Sequence, residues 1–173
     1  GKLTDFANKA LIRVGDKPAI SHIIEYYPEN TKFVITLGHY GNHIKDFLGL
    51  AYPNKDFEFI QVDKYKGVGS SLLYSISKTK KHLQCPFIFH ASDTIIGKND
   101  SLPNLKHNWG AGSFKEETSQ YRTLLITNNK ISKINDKGEL NFDYSYIGLC
   151  GVKNYKEFWK NLEMILNKSP QND

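Results

Sequence analysis

Up to His90, apolar segments of strand character alternate with segments whose apolar residues recur at helical spacing. The predicted order is helix 17–27, strand 32–37, helix 42–50, strand 57–62, helix 70–82 and strand 86–90. Strands that alternate with helices are joined by crossover connections, and such connections place the strands parallel in one sheet. The pattern therefore predicts an α/β fold.

Beyond Asp93 the pattern changes to extended segments joined by short connections. We predict strands at 108–114, 121–127, 130–134 and 144–151, followed by an amphipathic helix at 155–166. Short connections favour antiparallel neighbours, so the complete sheet is expected to be mixed but mainly parallel.

Composition limits the class of protein and its partners. A chain of 173 residues with 39% hydrophobic residues is expected to form one globular domain. The net charge of +5 is spread along the chain and suits phosphorylated small molecules, so no nucleic-acid partner is expected. Cys85 and Cys150 form no CxxC pair, and no apolar run is long enough for a membrane span. We therefore expect a cytoplasmic protein with no membrane partner.

Asp93 follows the predicted strand 86–90 within a few residues, in the sequence PFIFHASDTII. Ligands of open α/β sheets collect at the carboxyl ends of the strands. A carboxylate at that position can bind Mg²⁺ together with substrate phosphates and water. The alternative is that Asp93 only caps the next turn.

Two further segments are suited to an anionic ligand. In KGVGSSLLYSI, glycines precede the start of a predicted helix, where free amides favour an anion or a polar base edge. A flexible turn with a serine cap explains the same pattern. Lys9 and Lys17 lie in short turns and could each place a point charge against a phosphate, although both could also be ordinary surface lysines.

Taken in order, the segments LTD, NKALI, KP, SHII, KGVGSSL and SDTII resemble the nucleotide-sugar pyrophosphorylase or NTP-transferase family. The resemblance extends over about residues 1–159. It implies a Rossmann-like, GT-A-type three-layer α/β sandwich. It also implies a Mg²⁺-dependent enzyme that joins an NTP to a phosphorylated small molecule, such as a sugar 1-phosphate, and releases pyrophosphate.

The resemblance also assigns roles to particular residues. Lys9 is similar to the family's phosphate-contacting lysine, and Asp93 is similar to its first metal-binding aspartate. The residues similar to the nucleobase-reading loop are Gly67, Gly69, Ser70 and Ser71. Those similar to the acceptor-binding half are Asn108, Trp109, Tyr146 and Gly148.

Two family features have no counterpart in residues 1–173. The family opens with a strand and a glycine-rich loop that wraps the triphosphate, and it supplies a second metal-binding aspartate near its C-terminus. We therefore expect a single nucleotidyltransferase domain that lacks these two parts. A catalytically inactive nucleotide-binding module is one alternative. A GT-A glycosyltransferase is another, although SDTII contains one aspartate and no DxD motif.

Overall fold

A computed structural model describes residues 5–97, 99–114 and 119–168. Four α-helices and nine strands lie within these ranges, and none of the described helices is long and apolar enough to cross a membrane. The helices are α1 (Ala19–Tyr26), α2 (Gly41–Ala51), α3 (Leu72–Ser77) and α4 (Tyr155–Lys168). The strands are β1 (Arg13–Val14), β2 (Lys17–Pro18), β3 (Lys32–Leu37), β4 (Asp56–Gln61), β5 (Phe87–His90), β6 (Trp109–Ser113), β7 (Thr123–Thr127), β8 (Lys130–Asn135) and β9 (Tyr144–Val152).

The first half of the chain is built on a parallel pair, β3 and β4, joined by the crossover helix α2. Leu48 of α2 and Ile24 of α1 are almost completely buried in this half. Ala10 and Ile20 belong to the same apolar cluster. The cluster thus fixes the segment that begins at Lys9 against α1.

In the second half, β9 organises an antiparallel sheet. One edge of β9 pairs with β6. The other edge pairs first with β7, at Tyr144 and Ser145, and then with β5, from Leu149 to Val152. β7 and β5 thus lie along the same edge of β9, with a gap between them. The chain that leaves β5 passes over this gap.

Helix α4 covers β5 with an aromatic cluster. Trp159 is 2% exposed and stacks on Phe87, with 5.7 Å between the ring centroids. Its indole Nε1 donates a hydrogen bond of 2.9 Å to the carbonyl oxygen of Leu83. This second core supports the strand from which Asp93 emerges.

The structure confirms the α/β class, and the predicted strands and helices recur with boundary shifts of a few residues. The predicted sheet is wrong in its proportion of parallel pairs, because β3–β4 is the one parallel pair among the described residues. The physical reason is that β5, β6 and β7 all pair with β9, which runs antiparallel to each of them, and that a tight hairpin joins β7 to β8.

The predicted helices 17–27 and 70–82 are also corrected. Lys17 and Pro18 form β2, so α1 begins after them. The second helix ends at Ser77 and is followed by a 3₁₀ turn, Lys80–His82. The hydroxyls of Ser77 and Thr79 donate to backbone carbonyls three residues earlier, which competes with regular helical bonding.

Candidate active site

Asp93 lies in the loop that follows β5, at the carboxyl end of that strand. Its Oδ2 atom accepts a hydrogen bond of 2.7 Å from Nζ of Lys9. Both side chains are more than half exposed, at 60% for Asp93 and 56% for Lys9. The fold therefore brings together, on an open surface, the two residues that the sequence predicts for catalysis.

Lys9 is positioned by a 3₁₀ turn, Lys9–Leu11, that Asn8 caps. The Asn8 side chain accepts a bond of 2.9 Å from the Ala10 amide and donates a bond of 2.6 Å to the carbonyl oxygen of His39. Such a cap satisfies amides that a short helix leaves free. Asn8 thus ties the lysine turn to the loop after β3.

The Asp93 loop is attached to β9 at the gap between the partners β7 and β5. The Ala91 amide donates a bond of 2.9 Å to the Gly148 carbonyl, and the Thr94 hydroxyl donates to the Ile147 carbonyl. Gly148 has a φ of +75°, and a Cβ there would lie 2.8 Å from Cβ of Ala91. Gly148 was predicted to border an acceptor pocket, and the structure shows it supporting the Asp93 loop.

The ion pair keeps Asp93 charged. The hydrogen bond from Lys9 lowers the pKa of Asp93 below its ordinary value, against the opposing effect of partial burial. Only one carboxylate oxygen is needed for this bond, and the other can bind a hard cation. The described residues contain no group of three or more His, Cys, Asp or Glu that could hold a metal alone. A single exposed carboxylate fits a Mg²⁺ ion whose other ligands are substrate phosphates and water.

The glycine loop between β4 and α3 has the open backbone that ligand binding would require. Gly67 and Gly69 have φ values of +80° and +81°, in the left-handed region that favours glycine. The Ser70 hydroxyl donates to the Gly67 carbonyl at 2.7 Å. The Ser71 hydroxyl accepts from the Tyr74 amide at 3.0 Å and so caps α3. Both hydroxyls bond within the loop, and the Ser70 amide also donates to the Gly67 carbonyl, at 3.1 Å, so a ligand would contact other backbone amides of the loop.

Three side chains that the sequence did not indicate, those of Asp63, Tyr74 and Lys78, bond to one another beside the glycine loop. We call this group the brace. The Tyr74 hydroxyl donates to both carboxylate oxygens of Asp63, at 2.7 and 2.9 Å, and Lys78 Nζ lies 3.0 Å from Oδ1. These partners, Tyr74 first, lower the pKa of Asp63 from 3.8 to about 2. Lys78 thus has a specific partner in Asp63.

Asn108 and Trp109 have structural contacts at the start of β6. Asn108 Oδ1 accepts bonds from the amides of Lys153 and Asn154, at 2.7 and 3.0 Å. The indole of Trp109 lies against Gly151, its partner in the strand register. Three residues of strand separate Gly151 from Gly148, or about 10 Å. That Asn108 and Trp109 bind substrate stays a prediction.

Tyr146 lies closer to the Asp93 loop but is largely packed. Burial raises the pKa of its hydroxyl, and the ring approaches Gly110 on β6. In register, Gly112 of β6 pairs with Tyr146, and Ser113 pairs with Ser145. The middle of β6, between Gly110 and Gly112, is therefore level with the part of β9 that the Asp93 loop contacts.

A cleft at the carboxyl ends of β3 and β4 was missed by the sequence analysis. It has a volume of about 350 Å³. Its lining consists of the residues Gly38, Tyr40, Gly41, Asn42, His43, Gln61 and Tyr65. The tendency of ligands to collect at strand carboxyl ends, which points to Asp93 after β5, also points to Gln61 at the end of β4.

Lys17, the second lysine suggested for phosphate contact, lies in a different environment. It forms an ion pair with Glu25, whose other carboxylate oxygen accepts from the Tyr52 hydroxyl at 2.7 Å. These bonds, that of Lys17 first, lower the pKa of Glu25. Glu25 and Tyr52 line a separate cleft of about 280 Å³.

No protein-family model and no curated protein matches the chain significantly. Among solved structures it resembles the CTP:phosphocholine cytidylyltransferase of Streptococcus pneumoniae, with a TM-score of 0.71 and 22% identity over 93% of this chain and 69% of that one. It also resembles a putative glucose-1-phosphate thymidylyltransferase from Bacillus anthracis, solved in complex with a sucrose, with a TM-score of 0.78 and 19% identity over 97% and 70% of the two chains. The chain therefore has the Rossmann-like α/β fold that these nucleotidyltransferases share.

Proposed function

We propose that this protein is a nucleotidyltransferase that joins an NTP to a phosphorylated small molecule and releases pyrophosphate. The observation that carries the proposal is the Lys9–Asp93 pair at the carboxyl end of β5. Such a pair presents one cation and one carboxylate at the edge where α/β sheets bind ligands. The likeness to two nucleotidyltransferase structures supports the same reading.

In the proposed reaction an oxygen of the acceptor phosphate forms a bond to the α-phosphorus of the NTP. The bond from that phosphorus to its bridging oxygen breaks, and pyrophosphate leaves. Negative charge develops on the phosphoryl oxygens, and a fixed ammonium such as that of Lys9 stabilises it. When bound with the NTP, Mg²⁺ would neutralise further phosphoryl charge, and the Asp93 carboxylate would hold it.

The Lys9–Asp93 bond does not oppose this use of the two side chains. Exposed ion pairs contribute about 0–1 kcal/mol to stability, because water screens them and their side chains lose rotamer freedom. Both side chains are more than half exposed. Exchange of the pair for contacts with a triphosphate and a cation therefore costs little.

The glycine loop is proposed to read the nucleobase through its backbone amides, because its serine hydroxyls already serve the loop. A sugar 1-phosphate is the first acceptor to test. A phosphorylated amino alcohol is the second, since one similar structure is a CTP:phosphocholine cytidylyltransferase. The cytoplasmic location stays a prediction.

The test is a matrix of the four ribonucleoside triphosphates and dTTP against sugar 1-phosphates and phosphocholine, with release of pyrophosphate as the readout. We expect Mg²⁺-dependent release with one combination and loss of release after chelation. NTP binding without release for any acceptor would contradict the proposal and favour a nucleotide-binding module. Transfer of sugar from a nucleotide sugar would favour the glycosyltransferase alternative.

A further inference from the structure

His90, the last residue of β5, lies between the two halves of the candidate site. Its Nδ1 atom is 2.9 Å from the hydroxyl of Tyr27, and its Nε2 atom is 2.9 Å from the carbonyl oxygen of Thr94. The Tyr27 and His90 rings meet edge to face, with 5.8 Å between their centroids. Both ring nitrogens are therefore engaged.

The two partners determine which nitrogen carries the proton. The Thr94 carbonyl can only accept, so Nε2 must donate. In a neutral imidazole Nδ1 is then the acceptor, and the Tyr27 hydroxyl donates to it. Burial lowers the pKa of His90, which agrees with the neutral form. The hydrogen bonds thus run in one direction, from Tyr27 through His90 to Thr94.

This chain of bonds joins the segment that carries Lys9 to the loop that carries Asp93. Tyr27 directly follows α1, and Ala10 beside Lys9 packs in one cluster with Ile20 and Ile24 of that helix. Thr94 directly follows Asp93. The bonds of Ala91 and Thr94 to β9 tie the loop only to its own half of the molecule. His90 instead ties it to the half that positions Lys9.

We propose that His90 is a positioning residue that aligns Asp93 with Lys9 through the Thr94 carbonyl. The role in turnover rests on the nucleotidyltransferase function proposed above. His90 does not itself contact the reacting groups in this account. It sets the separation of the carboxylate and the ammonium, and misplacement of a catalytic group by about 1 Å can lower the rate on the order of 100-fold.

Two substitutions separate the two bonds of His90. In His90→Gln the amide nitrogen can take the place of Nε2 and donate to Thr94. In His90→Asn the shorter side chain can take the place of Nδ1 and accept from Tyr27, but it cannot reach Thr94. Positioning through Thr94 predicts that kcat falls roughly 10- to 100-fold in His90→Asn and is largely kept in His90→Gln, with the KM for NTP changed little in both.

Measurements without turnover test the geometry independently of the proposed function. Long-range ¹H–¹⁵N NMR should show His90 protonated at Nε2 in the wild type. The Thr94 amide, which donates to the Ala91 carbonyl at 3.1 Å, should exchange its hydrogen faster in His90→Asn than in His90→Gln. His22→Asn is the control, because the His22 ring also contacts a backbone carbonyl, that of Val14 at 2.8 Å. It should leave both kcat and the Thr94 exchange rate unchanged.

The outcomes distinguish the inference from the function on which it rests. Equal losses of kcat in His90→Asn and His90→Gln, with both variants folded by circular dichroism, would show that His90 only fills space. A proton on Nδ1 would overturn the direction of the bonds and with it the proposal. Absence of turnover in the wild type, with the NMR results as expected, would refute the proposed function and leave the alignment of the loop supported.

Discussion

Lys9 and Asp93 are 84 positions apart in the sequence and meet at 2.7 Å. Because both side chains are mostly exposed, their bond contributes at most about 1 kcal/mol to stability. At the scale of single residues, the pair is therefore expected to matter for the reaction much more than for folding.

Lys9→Ala and Asp93→Asn are each expected to lower kcat/KM by about 100-fold or more, because each removes charge stabilisation from the transition state. The double variant should lose less than the product of the two effects, since the two groups act on the same phosphates. Steady-state pyrophosphate release measures the effect on the reaction, and thermal unfolding measures the effect on folding. Lys45→Ala, on the exposed face of α2, is the control. Near-normal turnover of either single variant would remove that residue from the catalytic site.

Gly148→Ala is expected to destabilise the fold by about 1–3 kcal/mol, because it forces alanine to a positive φ and places its Cβ against Ala91. The matched control is Gly49→Ala in α2, where a Cβ meets nothing within 4 Å and alanine should stabilise the helix by up to about 1 kcal/mol. Urea unfolding of both variants measures the difference. Equal stabilities would show that Gly148 does not need its backbone freedom.

At the scale of elements, the glycine loop is held between β4 and α3 by Asp63, Tyr74 and Lys78. The pKa of Asp63 is lowered in the folded state, so the ionised carboxylate favours the brace. The contribution of the ionised Asp63 to folding stability is fully present above the ordinary pKa of 3.8. It is lost as the pH falls toward about 2.

Tyr74→Phe should raise the pKa of Asp63 toward 3.8, because it removes the largest cause of the shift. Carboxyl ¹³C NMR of Asp63 between about pH 1 and about pH 6, a range that includes both expected midpoints, measures this directly. Tyr144→Phe, at an exposed tyrosine of β9, should leave the Asp63 titration unchanged. A titration midpoint of Asp63 near 3.8 in the wild type would show that the brace does not form in solution.

At the scale of the whole molecule, two apolar clusters lie on different sheets. Leu48 belongs to the cluster around the parallel pair, and Trp159 belongs to the cluster beneath α4. The Lys9–Asp93 and Tyr27–His90 bonds connect the two halves. The expectation of a single domain requires both clusters to unfold together.

Leu48→Ala should lower the free energy of unfolding by about 2–5 kcal/mol, because Leu48 is completely buried. Both tryptophans, Trp109 and Trp159, lie in the other half, so their fluorescence reports on a region that the mutation does not touch. One cooperative domain predicts equal shifts of the fluorescence and circular dichroism transitions. Leu50→Ala, 85% exposed on the same helix, should change stability by less than about 0.5 kcal/mol. A fluorescence transition that stays in place while the circular dichroism transition shifts would contradict a single domain.

The sequence by itself determined most of the elements and identified the two central candidate site residues. Local pattern located β3, α2 and β4 within a residue or two, because α2 buries one helical face and the two strands are short runs rich in apolar residues. Asp93 was found because a carboxylate directly after a buried strand has a position that follows from topology alone. Lys9 was found through the resemblance of NKALI to a known segment.

Only the tertiary structure decided the direction of the later strands and the contacts around the site. The short connections predicted some antiparallel pairing, but they did not show that β9 joins β5, β6 and β7. Nor could the sequence show that Gly148 supports the Asp93 loop or that His90 lies between Tyr27 and Thr94. Local patterns reflect the residues that an element buries, whereas these contacts depend on register between segments as far apart in the chain as Phe87 and Val152. Register is set by packing of the whole core, and so it appears only once the chain has folded.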